Sequence, residues 1–489
     1  MSRIPRRPLD PEFVAPYTRV NLVADPIYGY VQITKSPRGN RDWSEATDRG
    51  RVTAEQDLLD HPWLQRARRI HQLQSAWWVF PAAEHSRFQH AIGAMHLAGE
   101  WTRHLYASLK LAADVPSEYL VEETLRLGGL LHDVGHGPFG HFFDDHYGAT
   151  FGITHETISR HVITGDLAPL IKGLEASPHG AFAPGEAIDP AWVAYVISKE
   201  EFSDFTPPRW LELLKPVLCG SFAADNMDYV PRDAYACGVS IGPVDIRRII
   251  HYTFISPEGL ALHQHGAEAM LLFLNSRMYL YTNLYHHRTV RRIDLHMGEI
   301  FHDTIAELLE GKSPLDDLDA YLGLNDWHLL NEVDRWLRTA PPGTRRHDLA
   351  QQWARITGRG QLKWKLAYEA AFELRQPALG VLMPTADELR RRIIERMPAD
   401  LRDITFEVDV ASLDPRPQAP ETDRYSALLF DPLDQSLRPD AAAEMLARLP
   451  MRSTTIRVFT LDEAHRSVLR EAVEGVLSGE LSPALATNT

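Results

Sequence analysis

Residues able to do chemistry are concentrated from Leu130 to His141, a stretch reading Leu-Leu-His-Asp-Val-Gly-His-Gly-Pro-Phe-Gly-His. Adjacent His132 and Asp133 offer an imidazole nitrogen and a carboxylate oxygen, a donor pair suited to a divalent first-row metal such as Mn, Fe, Co, Ni or Zn. Gly135, Gly137 and Pro138 stop the leucine-rich helix that enters the motif, which leaves His136 and His141 on a bend beside the metal. The dipeptide alone is weak evidence, because a leucine-flanked histidine more often sits satisfied in a core. The surroundings shift the balance. Ten of the chain's 23 histidines lie between positions 85 and 161, and histidine-rich tracts signal metal binding.

Three further segments carry candidate residues. Arg87 and His90, three apart at the start of a helical pattern, share a face on which an imidazole can hold a metal while a guanidinium holds a phosphate. Thr154-His155-Glu156 reads as a helix start, with Thr154 as N-cap and His155 in the first turn, where backbone N–H groups favour anions; an ordinary surface histidine is the alternative. Ala224 to Asp233 sets the carboxylates of Asp225, Asp228 and Asp233 beside an apolar helical run, where burial demands a cation or hydrogen-bond partners. Asp225 is the candidate fourth metal ligand, and Asp228 with Arg232, four apart, reads as an intrahelical ion pair. Within 266–310, expected to be one long helix, Arg277, Tyr281, Tyr285 and Arg288 share a face. Arginine for phosphate and tyrosine for stacking or ribose contact would suit a nucleotide; a helix at a subunit interface fits the same spacing.

Elements must bring these segments together. Periodicity predicts a helix from Arg87 to about Leu109, with Phe88, Ile92, Met95, Trp101 and Leu105 in its apolar stripe, and another from Ser117 to Leu131. From Thr53 to Leu73 the pattern is also helical, and Arg66, Arg68 and Arg69 form either a solvated face or a phosphate contact. Residues 1–20 read as an extended arm, Asp25 to Ile33 as a short hairpin, 173–190 as a loop, and Pro231 as a kink. Beyond position 400 alternating and β-branched runs (405–410, 425–430, 454–459) mix with helical ones (440–449, 461–477) around a proline-rich connection, Asp414 to Pro420. The expected architecture is mainly α. It comprises an N-terminal arm and hairpin (1–50), a helical core carrying the chemistry (51–310), a helical extension (311–400) and a small α/β C-terminal region (401–489).

Composition narrows the class. A length of 489 residues exceeds one ordinary core, and 44% hydrophobic with 24% charged residues is globular. The net charge of -15 repels nucleic acid at long range, so an anionic substrate has to be held by the metal or a local cationic patch. Cys219 and Cys237 lack CxxC spacing, which argues against a disulfide scaffold and fits a reducing cytoplasm. Neither an apolar segment after Arg3, Arg6 and Arg7 nor an apolar run of about 18 residues is present, so neither an export signal nor a membrane span is expected.

The assembled motifs resemble the HD superfamily of metal-dependent phosphohydrolases, and within it the deoxynucleoside triphosphate triphosphohydrolases. The resemblance rests on Gln65-Arg66-Ala67-Arg68-Arg69-Ile70-His71-Gln72-Leu73, Phe80-Pro81, Arg87-Phe88-Gln89-His90, His132-Asp133-Val134-Gly135-His136-Gly137-Pro138-Phe139, His155-Glu156, Asp225 to Asp233, and Tyr285 with His287. It runs from Asp25 through Tyr285 and more loosely to the end. It implies an HD phosphohydrolase core over 51–310, ligation of a divalent metal (Mn, Fe, Mg, Co, Ni or Zn) by His90, His132, Asp133 and Asp225, and catalytic roles for His136, His141, Asp144 and His155. Arg87 and Arg277 would grip the triphosphate, Tyr229 and Asp233 would meet the sugar, and Gln72, Leu73 and Tyr285 would line the sugar and base pocket. The implied reaction converts a dNTP to deoxynucleoside and inorganic triphosphate.

Departures from the animal members bear on detail: Asn226 replaces a phosphate-holding lysine and Tyr281 a histidine. Asp60, Gln65 and Arg68 match positions that hold an activating nucleotide between subunits, whereas Asn21 and Ala24 replace polar or basic contacts there. A homo-oligomer is implied by the family. Other readings are a different HD nucleotide hydrolase, such as a nucleotidase or phosphodiesterase, and a nucleotide-binding sensor or scaffold.

Overall fold

The computed structural model describes residues 10–35, 52–199, 205–220, 223–358, 362–374, 385–413, 428–438, 445–449 and 452–480. Helices dominate, and the largest hydrophobic cluster is built around α1 (Arg87–Ala112) and α2 (Glu118–Leu131). Ser86 and Gln89 start α1 with a capping box, the Ser86 N–H donating to Gln89 Oε1 at 3.2 Å. α3 (His155–Thr164), α4 (Ala224–Cys237), α5 (Ala267–Leu280) and α6 (Arg288–Leu308) complete the surroundings of the motif. Among the described residues no helix is long and apolar enough to cross a membrane.

Strands β1 (Val20–Asp25) and β2 (Gly29–Thr34) form the expected antiparallel hairpin. The described part of the arm before it is not extended: Pro11–Val14 is a 3-10 turn and Ala15–Arg19 one helical turn. A proline in a first turn forfeits no intrahelical hydrogen bond, so Pro16 does not oppose it. The 173–190 loop contains a minimal hairpin, β3 (Ala176–Ser177) and β4 (Gly180–Ala181).

Two expectations fail for tertiary reasons. The long helix over 266–310 is interrupted: after α5 a π turn spans Tyr281–Tyr285, the helix ends at His286, and the His287 side chain caps α6 by accepting from Thr289 N–H at 3.2 Å. Arg288 therefore begins a new helix instead of extending the Arg277–Tyr281–Tyr285 face. The helical extension over 311–400 likewise contains a ten-residue strand, β7 (Lys365–Leu374). Its Ala- and Glu-rich sequence suits a helix locally, but pairing with β11 (Arg452–Thr460) overrides that propensity.

β11 is the central strand of an antiparallel sheet ordered β7-β11-β8, with β8 at Phe406–Leu413. Helices α7 (Ala386–Arg396) and α8 (Arg466–Glu480) cover it, making a second, smaller hydrophobic cluster. Between these segments β9 (Leu428–Asp431) returns to the main body. It pairs parallel with β6 (Gly259–His263) in a sheet ordered β10-β9-β6-β5, where β5 is Thr253–Ser256 and β10 Ser436–Arg438. The proline-rich connection 414–420 lies outside the described residues, as does the first half of the expected helix 440–449.

A buried polar link joins the smaller module to α6. Arg291 Nη2 donates to Asp409 Oδ1 of β8 at 2.7 Å, and Asp294, one turn on, accepts from the Ser75 hydroxyl at 2.5 Å. Burial pushes Asp294 up to about 6, against the partial relief of Arg291. A carboxyl raised in the folded state binds its proton there before it would in the unfolded chain, so its contribution to stability falls as pH rises from about 4 to about 6, by roughly 3 kcal/mol at most. Asp294→Asn is expected to remove that component. The difference in melting temperature between variant and parent should grow in the variant's favour across this window and level off above it.

Candidate metal and nucleotide site

Three helices approach closely enough for four donors to meet. A Cβ on Gly129 of α2 would lie 2.6 Å from the Ala94 carbonyl oxygen of α1, so only glycine permits this approach. The first turn of α1 supplies Arg87 and His90, the end of α2 supplies His132 and Asp133, and the first turn of α4 supplies Asp225.

The two imidazole Nε2 atoms face each other at 3.2 Å. Asp225 Oδ1 lies 3.0 Å from His90 Nε2 and 3.6 Å from His132 Nε2, and Asp133 Oδ1 lies 3.3 Å from His132 Nε2. Each ring is anchored from behind, His90 Nδ1 on Asp228 Oδ2 at 2.8 Å and His132 Nδ1 on the Gly129 carbonyl at 2.8 Å. Those bonds fix a proton on each Nδ1 and turn Nε2 inward, where it carries a second proton beside Asp225 or, once that proton is displaced, faces a metal, as in metal-binding histidines with orienting partners. The electrostatics agree. Burial opposes protonation of His90, yet Asp225 and Asp228 outweigh it and push His90 up to about 10. Burial would raise Asp225, but hydrogen bonds from His132 and His90 hold it far below the usual carboxylate range. A divalent cation would meet so strong a demand for positive charge, and His90, His132 and Asp133, whose ligand atoms all lie within 4.8 Å of one another, could hold one with Asp225 beside them.

A second cluster adjoins the first. The HD turn reverses at Phe139 and Gly140, both with positive φ, and a Cβ on Gly140 would strike Arg87 Nη2 at 2.2 Å. Arg87 is thereby free to pass and pair with Asp133. His136 is fully buried, with neither ring nitrogen hydrogen-bonded among the described residues; burial first, then Arg87 and His155, keep it well below an ordinary histidine and hence neutral. Its Nε2 lies 3.3 Å from Asp133 Oδ1. His155 stacks on it with centroids 3.7 Å apart, and Asp144 holds His155 through the ring (2.5 Å) and the backbone N–H (3.1 Å). His141 Nδ1 is 3.5 Å from the same Asp144 oxygen, and 62% of its side chain is exposed. Burial would raise Asp144, but His141 and His155 keep it ionised well below the usual range.

Beside both clusters lies a cavity of about 250 Å³. Gln72, Leu73, Arg87, Tyr229, Asp233 and Tyr285, expected at a substrate, line it together with His90, Asp133, His141 and Asp225. Arg277 stands behind the wall instead, its Nε donating to the Tyr229 hydroxyl at 2.9 Å. Asp233 is held at both oxygens, by His85 Nε2 at 2.8 Å and the Tyr285 hydroxyl at 2.5 Å; the π turn carries Tyr285 to that contact. Among the described residues, Gln72 Oε1 is buried without a partner. Asp60, Gln65 and Arg68 lie outside the cavity, where Arg68 Nε donates to Gln65 Oε1 at 2.9 Å and its guanidinium covers the Phe88 ring at 3.7 Å.

Sequence reasoning missed several supporting residues. Arg66 is neither solvated nor a phosphate contact: it is buried and donates to the His136 carbonyl at 2.5 Å, while the Tyr321 hydroxyl donates to the Gly135 carbonyl at 2.7 Å. The Asp228–Arg232 pair exists as expected (2.8 Å), but Asp228 also orients His90. A carboxylate one turn beyond a ligand candidate was the available signal for that role. For His85, Gln74 and Val290 the sequence held no comparable sign.

An HD domain model matches residues 87–182. The chain is 28% identical over 296 residues to "Uncharacterized protein YwfO" of Bacillus subtilis, a match spanning 57% of this chain and 62% of the relative. It is 28% identical over 296 residues to deoxynucleoside triphosphate triphosphohydrolase SAMHD1 of Gallus gallus, spanning 55% of this chain and 47% of the relative. The match thus covers roughly half to three-fifths of these relatives' length. A crystal structure of a hypothetical protein from Aquifex aeolicus shares the fold, with a TM-score of 0.62 and 22% identity over 94% of this chain and all of that one.

Proposed function

From the premise that the chain belongs to the HD superfamily of metal-dependent phosphohydrolases and is dNTPase-like, we propose that it hydrolyses dNTPs to deoxynucleoside and inorganic triphosphate. The observation that carries this reading is a single cavity lined by His90, Asp133 and Asp225 of the donor set together with Arg87, Gln72, Tyr229 and Tyr285. That lining combines charged groups with rings and hydrogen-bonding groups, as a phosphate joined to a nucleoside requires.

Water attacks the α-phosphorus, the bond from phosphorus to O5′ breaks, and a proton goes to O5′ of the departing deoxynucleoside. His90, His132, Asp133 and Asp225 would hold a divalent cation, which when bound would supply Lewis-acid stabilisation of the phosphate and activation of water. Arg87 offsets negative charge on the phosphates, and the neutral His136 sits behind the cavity wall with its Nε2 3.3 Å from Asp133 Oδ1. His141 is the proton donor. Of the three clustered histidines it alone lines the cavity, and Asp144 orients it. Gln72 Oε1 accepts from a sugar hydroxyl, and Tyr229, steadied by Arg277, packs against the sugar ring.

The test is product identity. The purified protein is incubated with each dNTP and Mn²⁺ and the products are separated by ion exchange. Deoxynucleoside with inorganic triphosphate is expected. Pyrophosphate with a nucleoside monophosphate, or turnover of monophosphates or cyclic nucleotides alone, would replace this reading with another HD nucleotide hydrolase. Nucleotide binding without turnover would indicate a sensor.

A further inference from the structure

The turn from Leu73 to Ala76 carries a conformation that its sequence does not favour. Ala76 N–H donates to the Leu73 carbonyl at 2.7 Å, closing a four-residue turn whose first central residue, Gln74, has φ +34°. Glycine adopts such a backbone without strain, and a side chain there has to be held by its surroundings. The holding contacts are visible on both sides. Gln72 N–H donates to the His85 carbonyl at 3.0 Å, and the fully buried Ser75 hydroxyl donates to Asp294 Oδ1 at 2.5 Å. The strained residue is not idle surface: Gln74 lines the cavity near Tyr285 and Val290, and its amide has no partner among the described residues. Strain maintained by a buried clamp at a ligand-facing position points to a use for the side chain.

We propose that Gln74 is a specificity-determining residue whose amide reads the hydrogen-bonding edge of the nucleobase, and that Ser75 and Asp294 are positioning residues that hold it there. The inference rests on the nucleotide reading of the cavity. A carboxamide carries a donor pair and an acceptor, so it can distinguish bases by the order of their own donors and acceptors, whereas Leu73, Val290 and the tyrosines accept any ring. The Asp294 carboxylate reaches only the Ser75 hydroxyl of this turn, so its influence on selection passes through Gln74.

The test compares kcat/KM for the four dNTPs in the parent, Gln74→Gly, Ser75→Ala and Asp294→Asn proteins, with thermal melting of each. The parent is expected to prefer one or two bases. Gln74→Gly should reduce the ratio of best to worst substrate by about 10-fold, the scale of one good amide–base pairing, while melting at or above the parent temperature because glycine relaxes the turn. Ser75→Ala should shift the ratio in the same direction, and Asp294→Asn, which keeps the acceptor, should preserve it. Equal use of all four dNTPs by the parent, or a Gln74→Gly ratio within twofold of the parent's, would overturn the proposal while leaving dNTP hydrolysis standing. A parent protein that neither binds nor hydrolyses any dNTP overturns both.

Discussion

Asp225→Ala protein is expected to fold normally, to purify with little divalent metal, and to lose at least ~10³-fold in phosphohydrolase turnover, since a metal's Lewis-acid role is worth several kcal/mol. Asp225 sits in the first turn of α4 with 35% of its side chain exposed, so truncation leaves no cavity in the core. What it removes is a carboxylate 3.0 Å from one Nε2 and 3.6 Å from the other. The remaining donors are two imidazoles and Asp133, which already pairs with Arg87. Metal content by elemental analysis and turnover on the same preparation make the check. Stoichiometric metal with undiminished turnover would dissociate Asp225 from the site, and a collapsed melting curve would mean its role is structural.

Asp228 produces the second large effect, and two substitutions separate its contributions. The fully buried carboxylate accepts from His90 Nδ1 (2.8 Å), the Tyr28 hydroxyl (2.8 Å) and Arg232 (2.8 and 2.9 Å). Asp228→Ala strands these donors and leaves the buried guanidinium with Asp25 alone, at 2.9 Å, a loss of about 3–5 kcal/mol of stability. Asp228→Asn keeps the volume and one acceptor but not the charge. It should cost far less stability while weakening metal binding by about 10–100-fold, as removal of a partner behind a ligating histidine does. Chemical denaturation and metal titration of both variants distinguish the terms. Wild-type metal affinity in Asp228→Asn would contradict the carboxylate's role in tuning His90.

Much of the chemistry was legible because residue type carries it. Histidine and aspartate side by side at a helix end, an arginine three before a histidine, and a carboxylate-rich helix each announce their donors without reference to neighbours. Local rules also located α1, through its apolar stripe, and the β1–β2 hairpin, through alternation around a turn. These signals span a few residues, and physical chemistry acts on them before the chain folds.

The supporting residues were hidden for the opposite reason. Asp228 meets His90 across 138 positions, His85 meets Asp233 across 148, and Arg66 meets the His136 carbonyl across 70. No local pattern encodes such pairings, because each depends on close approach between helices and on burial that makes a lone charge costly. The π turn that seats Tyr285, the strand formed by Lys365–Leu374 and the return of β9 to β6 were likewise settled by partners elsewhere in the chain. The sequence by itself determined which donors were available and the local order in which helices present them. Only the tertiary structure decided which donors face one another, which are anchored from behind and which residues line the cavity, since distance, burial and hydrogen-bond direction exist only once the chain has packed.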